Sequence, residues 1–156
     1  MEVSKNLDMK GQLTVQKRDK SNEILEEFSA SNNIVLTGRD LVAKLFINEG
    51  IAPISHVAVG TGKTEVDPKT DTNLNTELFR KAITKIDPTQ DLTITSDGKI
   101  QVKITVELDF NEANGSLTEA GLFNANTGGV MYNRAVFPAI NKTNDFKLTL
   151  IWEILF

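Results

Sequence analysis

The 156-residue chain contains no cysteine. That removes disulfides, thiolate nucleophiles and sulfur-ligated metal centres together, and leaves the redox compartment open. Histidine occurs once, at His56, so the side chain most used for general-base and metal chemistry is almost missing. Aromatic residues make up only 6% of the chain, which limits stacking on sugars or bases. Cations are scarce where they would matter: the net charge is −4, and Lys and Arg form no cluster that could neutralise a phosphate backbone, so nucleic acid is not an expected partner. No apolar run approaches the length that spans a bilayer, which predicts no membrane insertion, and the opening Met-Glu-Val-Ser-Lys-Asn-Leu-Asp has no apolar signal core. What remains is ordinary: 40% hydrophobic and 24% charged residues, in a length suited to one domain over 1–156.

The hydrophobic residues alternate. Phe146, Leu148, Leu150, Trp152, Ile154 and Phe156 occupy even positions, as do Val102, Ile104, Val106, Leu108 and Phe110, with polar residues mostly between them. Side chains on a strand point to opposite faces in turn, so both segments predict long strands with one dry face. Leu13 and Val15 alternate likewise, and Asp19-Lys-Ser-Asn22 turns the chain into a second strand, giving a hairpin over 12–29. Leu41, Val42, Leu45 and Phe46 recur at spacings of three and four, which predicts one helix at 38–48, closed by Gly50 and Pro53. Further strands are expected at 54–59, 77–86, 92–95, 99–110, 116–123 and 130–137. Turn signals at Asp97-Gly98, Asn114-Gly115 and Thr127-Gly-Gly129 set off the later ones, and Pro138 ends the last of them. The pattern predicts a mainly β domain, an antiparallel β-sandwich of meander or Greek-key type with one short α-helix. The polar stretch 61–75 has too few apolar residues to hold itself against a core, and a long loop of that kind is expected to be mobile until a neighbour orders it.

Several features imitate active sites. Gly60-Thr-Gly-Lys-Thr64 resembles the end of a phosphate-binding loop, but Val57 stands where its first glycine belongs and Glu65-Val-Asp-Pro68 begins no helix, so a glycine-rich turn is expected. His56 has no carboxylate placed beside it and reads as a packed or sheet-edge residue. Asp67, Asp71 and Asp91 match no calcium loop. Glu112 and Glu119 flank the Asn-Gly turn like a glycosidase pair, yet Glu119 immediately precedes Ala120-Gly-Leu-Phe123, where a hydrogen bond to nearby backbone is the simpler role. Trp152 lies on the apolar face and belongs to the core. No catalytic residue, cofactor or metal is therefore expected.

Larger pieces carry a resemblance. They are His56-Val-Ala-Val-Gly-Thr-Gly-Lys-Thr64, Asp71-Thr-Asn-Leu-Asn-Thr-Glu-Leu-Phe-Arg80, Glu112-Ala-Asn-Gly-Ser-Leu-Thr-Glu-Ala-Gly-Leu-Phe123, Gly128-Gly-Val-Met-Tyr-Asn-Arg-Ala-Val-Phe137, Lys142-Thr143 and Leu148-Thr-Leu-Ile-Trp152. With Gly11-Gln-Leu-Thr-Val15 and Asn33-Ile-Val-Leu-Thr-Gly38 before them, they resemble a family of bacteriophage tail and tail-fibre-associated structural proteins, also found in phage-tail-like contractile injection systems. The resemblance implies a non-enzymatic virion or particle subunit made in the bacterial cytoplasm, at a collar, terminus or baseplate-to-fibre junction. It implies assembly as a homo-oligomeric ring or trimer, with other tail, baseplate or fibre proteins as partners. A carbohydrate- or receptor-binding module at a tail tip is the alternative. On that reading the residues of interest are architectural or interfacial. Gly60 and Gly62 permit a turn, and Gly121 a close approach between sheets. Arg80 and Arg134 could pair with Glu77, Glu112 or Glu119. Trp152 and Phe156 lie on the strong apolar face.

Overall fold

The computed structural model describes residues 9–84 and 86–156. The elements in chain order are β1 (Lys10–Arg18), β2 (Ile24–Ile34), α1 (Leu36–Phe46), β3 (His56–Gly60), β4 (Glu77–Ala82), β5 (Leu92–Ile94), β6 (Ile100–Leu108), β7 (Gly115–Phe123), β8 (Met131–Lys142) and β9 (Lys147–Leu155). The strands form one antiparallel sheet in the order β4-β3-β7-β8-β2-β1-β9-β6-β5, curled into a half-barrel. The expected mainly β architecture with one short helix is thus what the chain adopts, and the two layers of the expected sandwich are two limbs of one continuous sheet.

The limbs meet at a narrow joint. β2 pairs with β1 along most of its length but touches β8 only through Asn33↔Arg134 and Ile34↔Asn133. Beyond that joint the two strands part. On one side lie β2, β1, β9, β6 and β5, where β9 is zipped to β1 from Lys10↔Leu155 to Arg18↔Lys147 and to β6 from Gln101↔Leu155 to Leu108↔Leu148. On the other lie β8, β7, β3 and β4. Leu13, Val15, Leu150 and Trp152 from the first limb share one core with Val57, Leu117, Leu122 and Tyr132 from the second. The alternation read in β1, β6 and β9 is what delivers the first set to that core.

Turn chemistry follows the sequence closely. The Asp19 carboxylate accepts the Ser21 and Glu23 amides, with Asn22 left-handed at φ 63°, and Gly98 takes φ 81° in the β5–β6 hairpin. Two strand boundaries differ from expectation. β4 stops at Ala82 rather than 86, and β8 runs through Pro138 to Lys142. Proline is tolerated there because the β7–β8 register shifts between Leu117↔Ile140 and Glu119↔Val136, and because β2 no longer pairs with β8 at that height.

The helix begins two residues early and packs differently from expectation. Leu36 donates its N–H to Pro68 O, Thr37 Oγ1 donates to Met131 O, and Gly38 lies so close to the Tyr132 carbonyl that a Cβ could not fit. These ties anchor its first turn on β8. Only Gly38 and Leu41 are buried, so the predicted apolar stripe does not close over the core. Phe46 is 91% exposed and Ile47 64%. Asn48, left-handed at φ 56°, ends the helix in place of Gly50. Among the described residues no helix is long and apolar enough to cross a membrane.

Candidate functional site

The polar residues of the second limb converge on one carboxylate. Glu119 lies in the middle of β7, opposite Gly60 on β3 and Val136 on β8, and is fully buried. An ionised group in that position needs donors on every lone pair. Its Oε1 accepts the amides of Gly62 at 2.9 Å and Thr76 at 2.8 Å. Its Oε2 accepts the Asn75 amide at 2.9 Å and Arg134 Nε at 2.8 Å. Arg134, itself fully buried on β8, extends the network: Nη1 donates to Asp71 Oδ2 at 3.0 Å, and Nη2 to Thr64 O at 2.9 Å and Asn75 Oδ1 at 2.8 Å. Thr118 Oγ1 adds a bond to Gly62 O at 2.7 Å. Burial pushes the Glu119 carboxyl up, but the hydrogen bonds from Thr76, Asn75, Arg134 and Gly62 outweigh it and hold it below the ordinary glutamate range.

This clasp corrects the expectation that the polar stretch 61–75 is loose. Its backbone is fastened at Gly62, Thr64, Asn75 and Thr76, and its side chains at Asp71 and Asn75. Leu74 is buried with Val35, Ala58, Phe123 and Met131, and Val66 packs against them. The resemblance to a phosphate-binding loop also resolves physically. The amides that would cradle a phosphate are turned onto the protein's own carboxylate, and the chain after Thr64 forms no helix.

Gly60, Gly62, Glu119, Gly121 and Arg134 are therefore brought together. The glycines serve proximity rather than positive φ. A Cβ at Gly60 would collide with Thr76 O and Glu119 Oε1, and one at Gly62 with Asn75 Cβ and Glu119 Oε1. Gly121 makes a close approach as expected, but within one sheet: its neighbours are Asn133 O on β8 and Leu74. Arg80 forms a separate tie on the same limb. It pairs bidentately with Glu77, donates from Nη1 to Ala125 O and Gly128 O, and stacks 3.9 Å from the Phe123 ring centroid. Trp152 is buried in the first limb, and Phe156 is half exposed at its end, bonded to Ile100 through both backbone groups. Neither joins the clasp.

The residues that imitate catalytic groups are likewise engaged in local structure. Glu112 Oε2 accepts Lys81 Nζ at 2.6 Å and the Asp109 amide. Asp67 caps Lys69, and Asp91 caps Asp87. His56 sits on β3 between β4 and β7, away from any sheet edge, with Nδ1 2.8 Å from Ser55 Oγ. Among the described residues no group of three acidic or imidazole side chains is placed to hold a metal. Lys142 was missed by sequence reasoning. It is 1% exposed, and Nζ donates to Asp109 O, Phe110 O, Asn114 Oδ1 and Thr143 O, tying the start of β7 to the end of β8. No pattern in the sequence signals it, because its acceptors are mostly backbone carbonyls from another part of the chain.

Where β2 and β8 part, a cavity of about 420 Å³ opens. Val15, Phe28, Pro138, Ile140, Phe146 and Leu148 give it an apolar lining, and Lys17 and Glu26, cross-strand partners on β1 and β2, supply its charges. No family model matches the chain, and no curated protein or solved structure matches it either.

Proposed function

We propose that this chain is a non-enzymatic assembly subunit of a phage tail or of a phage-tail-like contractile particle, at a collar, terminus or baseplate-to-fibre junction, working through contacts with copies of itself and with neighbouring proteins. The observation that carries the reading is how the polar groups are used. Glu119, Arg134, Arg80, Glu112 and Lys142 fasten loops to the sheet, while Phe46, Ile47 and Ile94 stand in solvent on ordered backbone. A scaffold with chemistry turned inward and apolar side chains turned outward suits association. The segments that resemble tail proteins supply the particular kind of particle.

Electron microscopy of the native particle tests this directly. Density fitting the half-barrel in a tail or baseplate map is the expected result. A complete map of a particle from the producing cell, with every tail density assigned to other chains, would overturn it.

A further inference from the structure

We propose that Phe46 of one copy seats in the β2–β8 cavity of the next, so that copies associate head to tail. The inference deepens the assembly reading by naming the contact, and it rests on that reading only in taking a second copy as the occupant.

The knob is presented rigidly. Helix α1 is anchored on β8 at its start, and at its end Ile47, Asn48 and Glu49 donate their amides back to Ala43, Leu45 and Lys44. Phe46 therefore projects from fixed backbone, 91% exposed, with Ile47 beside it. Leaving an aromatic of this size in water forgoes the burial that usually dominates an interface. The receptor is equally specific. The 420 Å³ cavity has room for an aromatic ring and a neighbouring aliphatic side chain, and rings of the same kind, Phe28 and Phe146, already line it.

Charge selects the occupant. The cavity carries one cation and one anion, Lys17 and Glu26, directly paired across β1 and β2. The knob carries the matching set: Lys44 and Glu49 lie within electrostatic reach of one another on either side of Phe46. Docked with Lys17 facing the incoming Glu49 and Glu26 facing the incoming Lys44, both surfaces are complementary, and like charges repel in the reverse orientation. Knob and cavity lie on different elements, α1 and the β2–β8 seam. A contact between them is heterologous and generates a ring, or a filament where the rotation does not close.

Sedimentation of the purified chain with two variants tests the proposal. Phe46→Asp removes the knob and keeps the cavity; Ala139→Trp fills the cavity and keeps the knob. The wild type should self-associate, and each variant should weaken association by about thirty-fold or more. Mixed in equal amounts, the variants should form dimers that grow no further, since one good knob meets one good cavity. Should Ala139→Trp fail to fold, Lys17→Glu replaces it, and Glu49→Lys on the neighbouring copy should restore its binding. A wild type that stays monomeric at high concentration overturns the inference, as does normal assembly of Phe46→Asp. A mixture of folded variants that stays monomeric points to knob-on-knob contact or a different protein partner, and also overturns it. If microscopy places the chain in a tail while Phe46→Asp assembles normally, this contact alone fails. If the variants behave as expected but no particle contains the chain, only the tail reading fails.

Discussion

The two limbs of the half-barrel are held by different forces. In the limb of β1, β9 and β6, alternate residues bury Leu13, Val15, Ile104, Val106, Leu150 and Trp152, and the stabilisation is apolar area spread evenly along long ladders. In the limb of β3, β4, β7 and β8 the strands surround a buried ion pair, and loop 61–76 is fastened by directed bonds to two side chains. The first arrangement tolerates local change because no single contact dominates. The second concentrates its stability in Glu119 and Arg134, where losing one partner strands the other.

Arg134→Ala gives the largest expected effect. Removing one member of a buried pair costs about 3–5 kcal/mol, because the Glu119 charge remains without its cation. Leu150→Ala in the other limb should cost about 2–5 kcal/mol as a cavity. Chemical denaturation measures both, and hydrogen exchange separates them. Arg134→Ala should release the Gly62, Asn75 and Thr76 amides selectively, whereas Leu150→Ala should lower protection throughout. In the unmodified, isolated chain those three amides should already exchange slowly. Fast exchange there would break the comparison, since the loop would then not be held by the clasp.

Acid should act on one limb first. The folded Glu119 carboxyl lies below its ordinary value of 4.5, so its contribution is fully present above that value and is lost as pH falls through the depressed folded one. Thermal melts from neutral to acidic pH should show a decline that Glu119→Gln flattens, with the loop amides exposed before the β1–β9 ladder opens. An unchanged slope in Glu119→Gln would assign the decline to other carboxylates.

A smaller effect follows from the glycines. Gly62→Ala brings a methyl against Asn75 Cβ and a carboxylate oxygen held by its own hydrogen bonds, and should cost about 1–3 kcal/mol through overpacking. Gly11→Ala in the first limb meets only the Asn32 side-chain amide, which can rotate away, and should cost less than about 1 kcal/mol. Equal costs, read by denaturation, would mean the clasp is as yielding as the ladder.

The same contrast explains what could be read from sequence. Period-2 alternation identified β1, β6 and β9 with their inward faces, and Asp-Gly and Asn-Gly signals identified the turns, because those codes are local. The exposed Phe46 defeated the helical pattern: spacing reports a stripe but not what covers it. Glu119 and Arg134 were candidates from the start, yet their pairing rests on the β7–β8 register across the bulge, and their loop partners lie 43 to 70 residues away. The loop's polar composition suggested looseness because its acceptor and donor belong to other strands. Lys142 escaped notice for the same reason.

The smallest predicted effect compares two lysines near the β8–β9 turn. Lys142 is buried with four oxygen acceptors, whereas Lys147 forms a 3.0 Å ion pair with Glu107, whose side chain is 45% exposed. Truncating Lys142 to alanine leaves carbonyls enclosed without a donor, a loss of about 1.5–3 kcal/mol. Lys147→Ala removes only a solvated pair, worth less than about 1 kcal/mol and shrinking further as salt screens it. Denaturation of both variants at low and high ionic strength separates the cases: the Lys142 loss should persist in salt and the Lys147 loss should fade. If Lys147→Ala costs as much as Lys142→Ala and keeps that cost in high salt, burial is not what sets the strength of these ties, and the distinction drawn between the limbs fails with it.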